Sequence, residues 1–395
     1  MTAQQMNDID RLYASARKMV PVLRERQTEA ASLGHLPEAT VREMQEAGFF
    51  RIMQPARFGG YEMEPEVFFR VQMTLAEGCM STAWVLGVVA IHNWQLALFD
   101  QRAQQDVWGE DTSVLISSSY MPVGKVTRVD GGYTLSGHWG FSSGSKHCGW
   151  AFLGAMIPAE KEGDAPDYRT FLVPRSDYDI VDNWDVSGLE GTGSHDIVVK
   201  DAFVPEYRTH RSIHGFECNS PGNAVNTHPI FRLPFGQIFV RAVCSSAIGA
   251  LRGVTDSYVK VNRERVGLND GNKIATDPDA QMALANAIAT VDECETIMFR
   301  NFDTMLDAAR EGRSLPMEER IKMRFDASRV GAKCADAINA MFIACGAQGI
   351  HRGHPLNRAW LDINAGRTHV ANNPFKFGRN LGGNLMGQPN ADFFL

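Results

Sequence analysis

The chain has 395 residues, 44% hydrophobic and 22% charged, with a formal net charge of −7. That length calls for two or three packed units rather than one core, and mild acidity with scattered basic residues leaves no electrostatic footprint for nucleic acid. Seven dispersed cysteines without a C-x-x-C pair fit reduced thiols in a cytoplasmic protein, Met1 to Asp10 lacks the apolar core of a signal peptide, and no apolar run approaches a membrane span.

Residues 1–113 read as a helical domain. Leu36-Pro37-Glu38 opens a helix with Pro near its first position, Val41, Met44 and Ala47 follow at helical spacing, and Gly48 supplies a stop. Met73 to Leu98 is apolar at helical spacing with few charges, which predicts a buried helix pair.

Residues 114–220 change to strand patterns. Asp130-Gly131-Gly132-Tyr133 is a hairpin turn signal. Ala151–Ile157, Thr170–Pro174 and Asp196–Val199 are short apolar runs bounded by turn residues. The polar stretch Glu160 to Asp167 reads as a hairpin tip. Helices return in 221–395: Phe239 to Val261, Asp277 to Ala309, Ser314 to Cys345 with Gly346 as its stop, and about Pro355 to Arg367. The small residues at 245–250 permit close helix approach. The class is α+β, a helical bundle carrying a β-barrel insert.

Two stretches carry candidate chemistry. One is Ser117-Ser118-Ser119-Tyr120-Met121-Pro122; the other runs from Trp139 through Phe141-Ser142-Ser143-Gly144. Small hydroxyls at a strand end can hydrogen-bond the edge of a flat heterocycle while a neighbouring aromatic stacks on its face. The bland reading is a surface hairpin with a serine-rich rim. Several motifs are missing: Gly191-Thr192-Gly193 precedes a strand instead of opening a helix, so a nicotinamide site of the doubly wound kind is not expected. His351 and His354 are separated by a helix-breaking Gly353, and no metal site is expected.

The three-part order, with Phe141-Ser142-Ser143-Gly144, Asn262-Arg263-Glu264-Arg265 and Cys345-Gly346-Ala347-Gln348-Gly349, resembles the acyl-CoA dehydrogenase fold over nearly the whole chain. That resemblance implies an N-terminal helical domain, a central β-barrel, a C-terminal four-helix bundle and a homotetramer. Gly188 to Pro205 resembles the strand pair that ends the β-domain, although Glu190 stands where the family has a basic residue. His195 carries no assigned role. The dehydrogenases need a carboxylate to remove an α-proton, and both positions that supply it are apolar here, Val240 and Val370.

Arg367-Thr368-His369, His92-Asn93-Trp94-Gln95 and the Ser118-to-Pro122 stretch are instead similar to the oxygenase components of two-component flavin monooxygenases. Those enzymes hydroxylate phenols such as 4-hydroxyphenylacetate and the phenolic ring of secosteroids. The resemblance implies reduced FMN (or FAD) from a separate flavin reductase, O2, and a flavin C4a-hydroperoxide that oxygenates a phenolic substrate. By the same resemblance, Ser143 contacts flavin N5, His369 binds the phenol and acts as base, and His92 and Ser118 hold the substrate. Trp84, Ser118, Ser119, Tyr120, Phe141 and Ser142 line the flavin ring, while Arg263, Gly346, Ala347 and Gln348 meet its phosphate. The alternatives are a monooxygenase acting on sulfur or nitrogen, a dehydrogenase with a displaced base, and a non-catalytic flavin-binding protein. No membrane or nucleic-acid partner is implied.

Overall fold

A computed structural model describes residues 3–158, 167–267 and 271–395. Most of the polar stretch read as a hairpin tip lies outside the described residues; only its last residue, Asp167, is seen, opening a strand.

Five helices come first: α1 (Ala3–Leu33), α2 (Glu38–Ala47), α3 (Pro65–Ala76), α4 (Met80–Leu96) and α5 (Gln101–Trp108). Every residue of α4 is buried. A helix that is apolar all round has no solvent face to present, so it is packed on all sides. α4 lies between the sheet and the later helices, and the candidate site is built around it.

Among the described residues seven strands follow: β1 (Ile116–Val129), β2 (Gly132–Ser142), β3 (Trp150–Ile157), β4 (Asp167–Pro174), β5 (Tyr178–Val181), β6 (His195–Pro205) and β7 (Thr209–Arg211). They form one sheet in the order β5-β6-β2-β1-β3-β4-β7. Only the β1–β3 pair is parallel. The β1–β2 hairpin closes Val129 on Gly132 across Asp130-Gly131, with Gly131 at φ 75°. β1 pairs with β3 through Ile116–Ser119 and with β2 through Lys125–Val129, with a register shift between. A strand interrupted in this way bends, and the two halves of the sheet share a core of Tyr133, Leu135, Trp139, Leu153, Phe171 and Ile197.

The strand pair expected from Gly188 to Pro205 is a single strand. Gly188, Leu189 and Gly193 have φ of 91°, 53° and 54°. Left-handed residues so close together cannot continue an extended chain, and residues 188–194 form a loop instead, ahead of β6.

The remaining helices are α6 (Ser212–Glu217), α7 (Phe235–Ala242), α8 (Ser245–Arg263), α9 (Pro278–Arg310), α10 (Met317–Ala344), α11 (Pro355–Gly366) and α12 (Pro374–Leu385). The single helix expected over Phe239–Val261 is broken at Val243-Cys244. The break has side-chain partners: the Gln72 amide donates to Ala242 O at 2.8 Å, and the Ser245 hydroxyl lies 2.6 Å from Gln72 Oε1 and 2.8 Å from Arg241 O. Against the expectation that no apolar run approaches a membrane span, the stretch Phe235–Arg263 has a mean hydropathy of 1.3 in its best window, enough by composition for one, but 83% of that window is buried inside the protein. It is a core element. α12 has no counterpart in the sequence reading, because Gly378, Gly382 and Gly383 weaken the helical signal; Asn373 starts it by accepting the N–H groups of Phe375 and Lys376.

Candidate active site

One face of α4 presents Trp84 and His92, eight residues and about 12 Å apart along the axis. Each anchors a different cluster.

Around Trp84, the indole N–H donates to Ser143 Oγ at 3.2 Å. Ser143 Oγ lies 2.7 Å from Ser194 Oγ, and Ser194 Oγ lies 2.7 Å from Thr192 Oγ1. Ser143 follows directly on the end of β2. Thr192 and Ser194 come from the 188–194 loop, which is held against α11: Leu189 N–H donates to Asp362 Oδ1 at 2.6 Å, and a Cβ at Gly188 would meet Leu361 O at 2.4 Å. Glu190, where a basic residue was expected, pairs with Arg358 at 2.8 Å. The charge that the family pattern places in the loop is carried here by α11.

The His369 ring meets Trp84 edge-on, with centroids 5.8 Å apart. Ala371 N–H donates to His369 Nδ1 at 3.1 Å. Burial, with the Arg324 guanidinium adding to it, pushes the imidazole pKa down to about 4. A neutral ring whose Nδ1 accepts carries its proton on Nε2. His369 therefore carries a donor, not a free lone pair, on its second nitrogen.

His92 is arranged the opposite way. Its Nδ1 lies 2.6 Å from Ile116 O. A carbonyl only accepts, so Nδ1 holds the proton and Nε2 keeps a lone pair. Nε2 is buried and has no hydrogen-bond partner among the described residues. Burial pushes the pKa down to about 4, so the ring is neutral at pH 7. Tyr120 and Phe152 flank it edge-on at 6.1 and 5.7 Å, and Phe239 closes on Tyr120 at 4.9 Å. An orphaned acceptor among aromatic walls suits a flat phenol whose hydroxyl donates to it.

The sequence-selected residues divide accordingly. Trp84, Ser143 and His369 meet in one cluster. Tyr120 stands with His92, and Ser118, two residues earlier on the same strand, shares its face and hydrogen-bonds the Tyr120 hydroxyl. Burial carries the Tyr120 phenol well above its usual range, and its hydroxyl donates to Gln95 Oε1, so it is spent inside the protein. Ser119 is spent as well, on Gly140 O at 2.7 Å. Both hydroxyl protons are therefore committed inside the protein, and what either could offer a ligand is an acceptor lone pair. Ser142 Oγ is buried without a partner. Phe141 has φ 62° and is 70% exposed, with its ring edge-on to Trp184 at 6.0 Å. A bulky residue in the left-handed region is strained, and here the strain turns an aromatic face outward beside the Ser143 cluster. His195 is buried with Nδ1 3.2 Å from Asp182 Oδ1.

The phosphate residues do not join this cluster within one chain. Gly346, Ala347 and Gln348 are exposed before the start of α11, whereas the far end of α11 reaches Trp84 through Gly366. Twelve helical residues separate the two ends, about 18 Å. Arg263 is exposed, and it is Arg265 that donates to the carbonyls of Ala344 and Cys345 at the end of α10. Sequence reasoning missed Thr192, Ser194 and Asp362. The signal is the run Gly191-Thr192-Gly193-Ser194, which, like 142–144, sets small hydroxyls beside glycines.

The acyl-CoA dehydrogenase N-terminal domain family matches residues 9–112 and the C-terminal domain family residues 242–374. The chain is 40% identical over 357 residues to the flavin-dependent monooxygenase, oxygenase subunit HsaA, of Rhodococcus jostii, covering 90% of this chain and 93% of that protein. It is 32% identical over 372 residues to the FADH2-dependent resorcinol hydroxylase, oxygenase component, of a Rhizobium species, covering 92% and 90%. Among solved structures, 3-HSA hydroxylase from Rhodococcus sp. RHA1 superposes with a TM-score of 0.91 at 36% identity, covering 100% of this chain and 99% of that one.

Proposed function

The chain belongs to the flavin-dependent monooxygenase oxygenase subunits of the acyl-CoA dehydrogenase fold, and from that premise we propose how its residues divide the work. It is the oxygenase component of a two-component system, taking reduced flavin and O2 and hydroxylating a phenolic compound. A separate reductase supplies the flavin. Seven free cysteines suit a cytoplasmic setting.

The residues present fit a flavin. Ser143 keeps an unspent lone pair beside Trp84, Phe141 offers an exposed ring edge-on to the half-buried Trp184, and Ser142 Oγ has no partner among the described residues. We assign Ser143 to N5, with His369 Nε2–H as a donor beside it. Reduced flavin, when bound, would supply the two electrons that activate O2, one atom of which would go to the substrate and the other to water.

The observation that carries the reading is the orphaned Nε2 of His92. We assign the base role to His92 rather than to His369, because the base needs a lone pair where the phenol proton arrives. Ser118 orients the same hydroxyl, and Tyr120, Phe152 and Phe239 hold the ring. As the phenol proton moves onto Nε2, the negative charge developing on the phenol oxygen raises the imidazole above the pKa that burial alone gives it, and the ring carbon becomes a better nucleophile toward oxygen. Closed aromatic walls exclude the water that would divert the oxygen to peroxide. The phosphate end is completed by a second copy of the chain, which brings Arg263 and Gly346 to Gln348 to the flavin of its neighbour, consistent with a homotetramer.

The test is direct. Anaerobic protein is mixed with reduced FMN or FAD, O2 is added, and resorcinol, 4-hydroxyphenylacetate and a secosteroid phenol are offered in turn. Hydroxylated product from at least one phenol is expected. Oxidation of an acyl-CoA, with no product from any phenol, would sink the reading.

A further inference from the structure

The last residue of the 188–194 loop, Ser194, touches Ser143, the side chain placed nearest the flavin ring. Its hydroxyls form a chain whose direction is fixed by counting protons. Thr192 Oγ1 lies 2.9 Å from Leu189 O. That carbonyl only accepts, so the one hydroxyl proton of Thr192 is spent there. Across its 2.7 Å contact with Ser194, Thr192 can then only accept, and Ser194 donates. By the same count Ser194 accepts across its 2.7 Å contact with Ser143, and Ser143 donates. From the other side Trp84 Nε1–H, which is always a donor, occupies one lone pair of Ser143. The Ser143 hydroxyl is left with its proton committed and a single free lone pair.

The chain is also held in place. Ser143, Ser194 and Thr192 are all buried. The Leu189 carbonyl that terminates it also receives Thr192 N–H and Trp184 Nε1–H, both at 3.1 Å. Leu189 itself is tied to Asp362 on α11.

We propose that this directed chain, Trp84–Ser143–Ser194–Thr192–Leu189, makes Ser143 an acceptor only and thereby selects reduced over oxidised flavin. The proposal rests on the placement of Ser143 at N5. N5 of a reduced flavin carries a proton and donates; N5 of an oxidised flavin carries none and accepts. An acceptor-only hydroxyl pairs with the first and sets lone pair against lone pair with the second. A visiting cofactor must arrive reduced and leave oxidised, and a hydroxyl of fixed polarity serves both steps. Thr192 and Ser194 are positioning residues in this scheme, acting on the flavin through Ser143.

The experiment measures dissociation constants for reduced FMN, anaerobically, and for oxidised FMN, on the purified enzyme and on Thr192→Val, Ser194→Ala and Thr192→Ser. Thr192→Val leaves the Ser194 proton without its acceptor, so Ser194 turns toward Ser143 and frees the Ser143 proton. Ser194→Ala frees it directly. In both, the ratio of oxidised to reduced dissociation constants should fall by about 3–10-fold, the effect of one neutral hydrogen bond gained or lost. Thr192→Ser keeps the hydroxyl and should keep the parent ratio. Should Thr192→Val not fold, Ser194→Ala carries the test. A parent ratio retained in Ser194→Ala overturns the directed chain. A parent enzyme that binds no reduced flavin overturns the functional reading itself, so the two failures are told apart.

Discussion

At the scale of single residues, the site is decided by which nitrogen of each imidazole holds the proton. His92 gives its Nδ1–H to Ile116 O and leaves Nε2 bare; His369 accepts Ala371 N–H and presents Nε2–H. A base needs the first arrangement. His92→Asn should therefore bind reduced flavin as the parent does but hydroxylate about 10²–10⁴-fold more slowly. The deficit should shrink as pH approaches about 10, where the phenol ionises unaided. Single-turnover product yield measures this, and a parental rate at pH 7 would remove His92 from the role. The pH profile gives a second check. With its pKa pushed down to about 4, His92 keeps its lone pair throughout the range above that value. Product per reduced flavin should hold steady from pH 8 to 5.5 rather than halving near the ordinary imidazole value of about 6.5. The residue types were legible in the sequence: Ser143, Trp84, His92 and His369 were all selected there. The proton positions were not, since each is set by a backbone group distant in sequence or by a local turn, here Ile116 O and Ala371 N–H.

At the scale of elements, the site depends on the hold that α11 keeps on the 188–194 loop. Asp362 is buried at that contact, and its pKa is pushed up to about 6, chiefly by burial. The sign follows. A carboxyl whose folded pKa lies above its unfolded value of about 3.8 favours the folded state below that value, and the contribution is lost as pH rises through about 6. Above pH 6 the loop is held by a buried charge that costs stability. Asp362→Asn keeps an acceptor for Leu189 N–H and removes the charge. Relative to the parent, it should gain about 1–3 kcal/mol more at pH 8 than at pH 4.5. Urea denaturation at the two pH values measures the difference, and equal shifts would refute it. Much of the fold was legible at this scale. The α2 boundaries, the β1–β2 hairpin, β3, β6 and the long α9 and α10 all follow from caps, turn residues and periodicity. The rest depended on contacts remote in sequence. Gln72 of α3 breaks the α7–α8 run, left-handed residues make a loop of an expected strand, and α12 forms despite its glycines.

At the scale of the whole molecule, the proposed assignment leaves the flavin site in two pieces on a single chain. The ring end lies at Trp84 and Ser143, and the phosphate residues lie a full α11 length away. The same chain exposes large apolar side chains on its C-terminal helices and their links: Ile343, Ile350, Val370, Phe375, Leu385 and Met386. Scattered singly such residues mean little, but gathered on neighbouring elements they mark an association surface. Three of them, Phe375, Leu385 and Met386, belong to or cap α12, the helix that sequence periodicity did not reveal. If a second copy covers this surface and brings its 346–348 turn to the first copy's ring site, assembly and flavin binding are one property. The parent chain should then run as a multiple of 43.7 kDa, with four copies expected. A Phe375→Glu/Met386→Glu variant should dissociate and lose flavin affinity together, while keeping the far-ultraviolet circular dichroism of a folded chain. Light scattering and reduced-FMN titration on the same sample make the comparison. A monomeric variant that binds reduced FMN as tightly as the parent would show that one chain completes the site, with the phosphate held by residues other than Arg263 and Gly346 to Gln348.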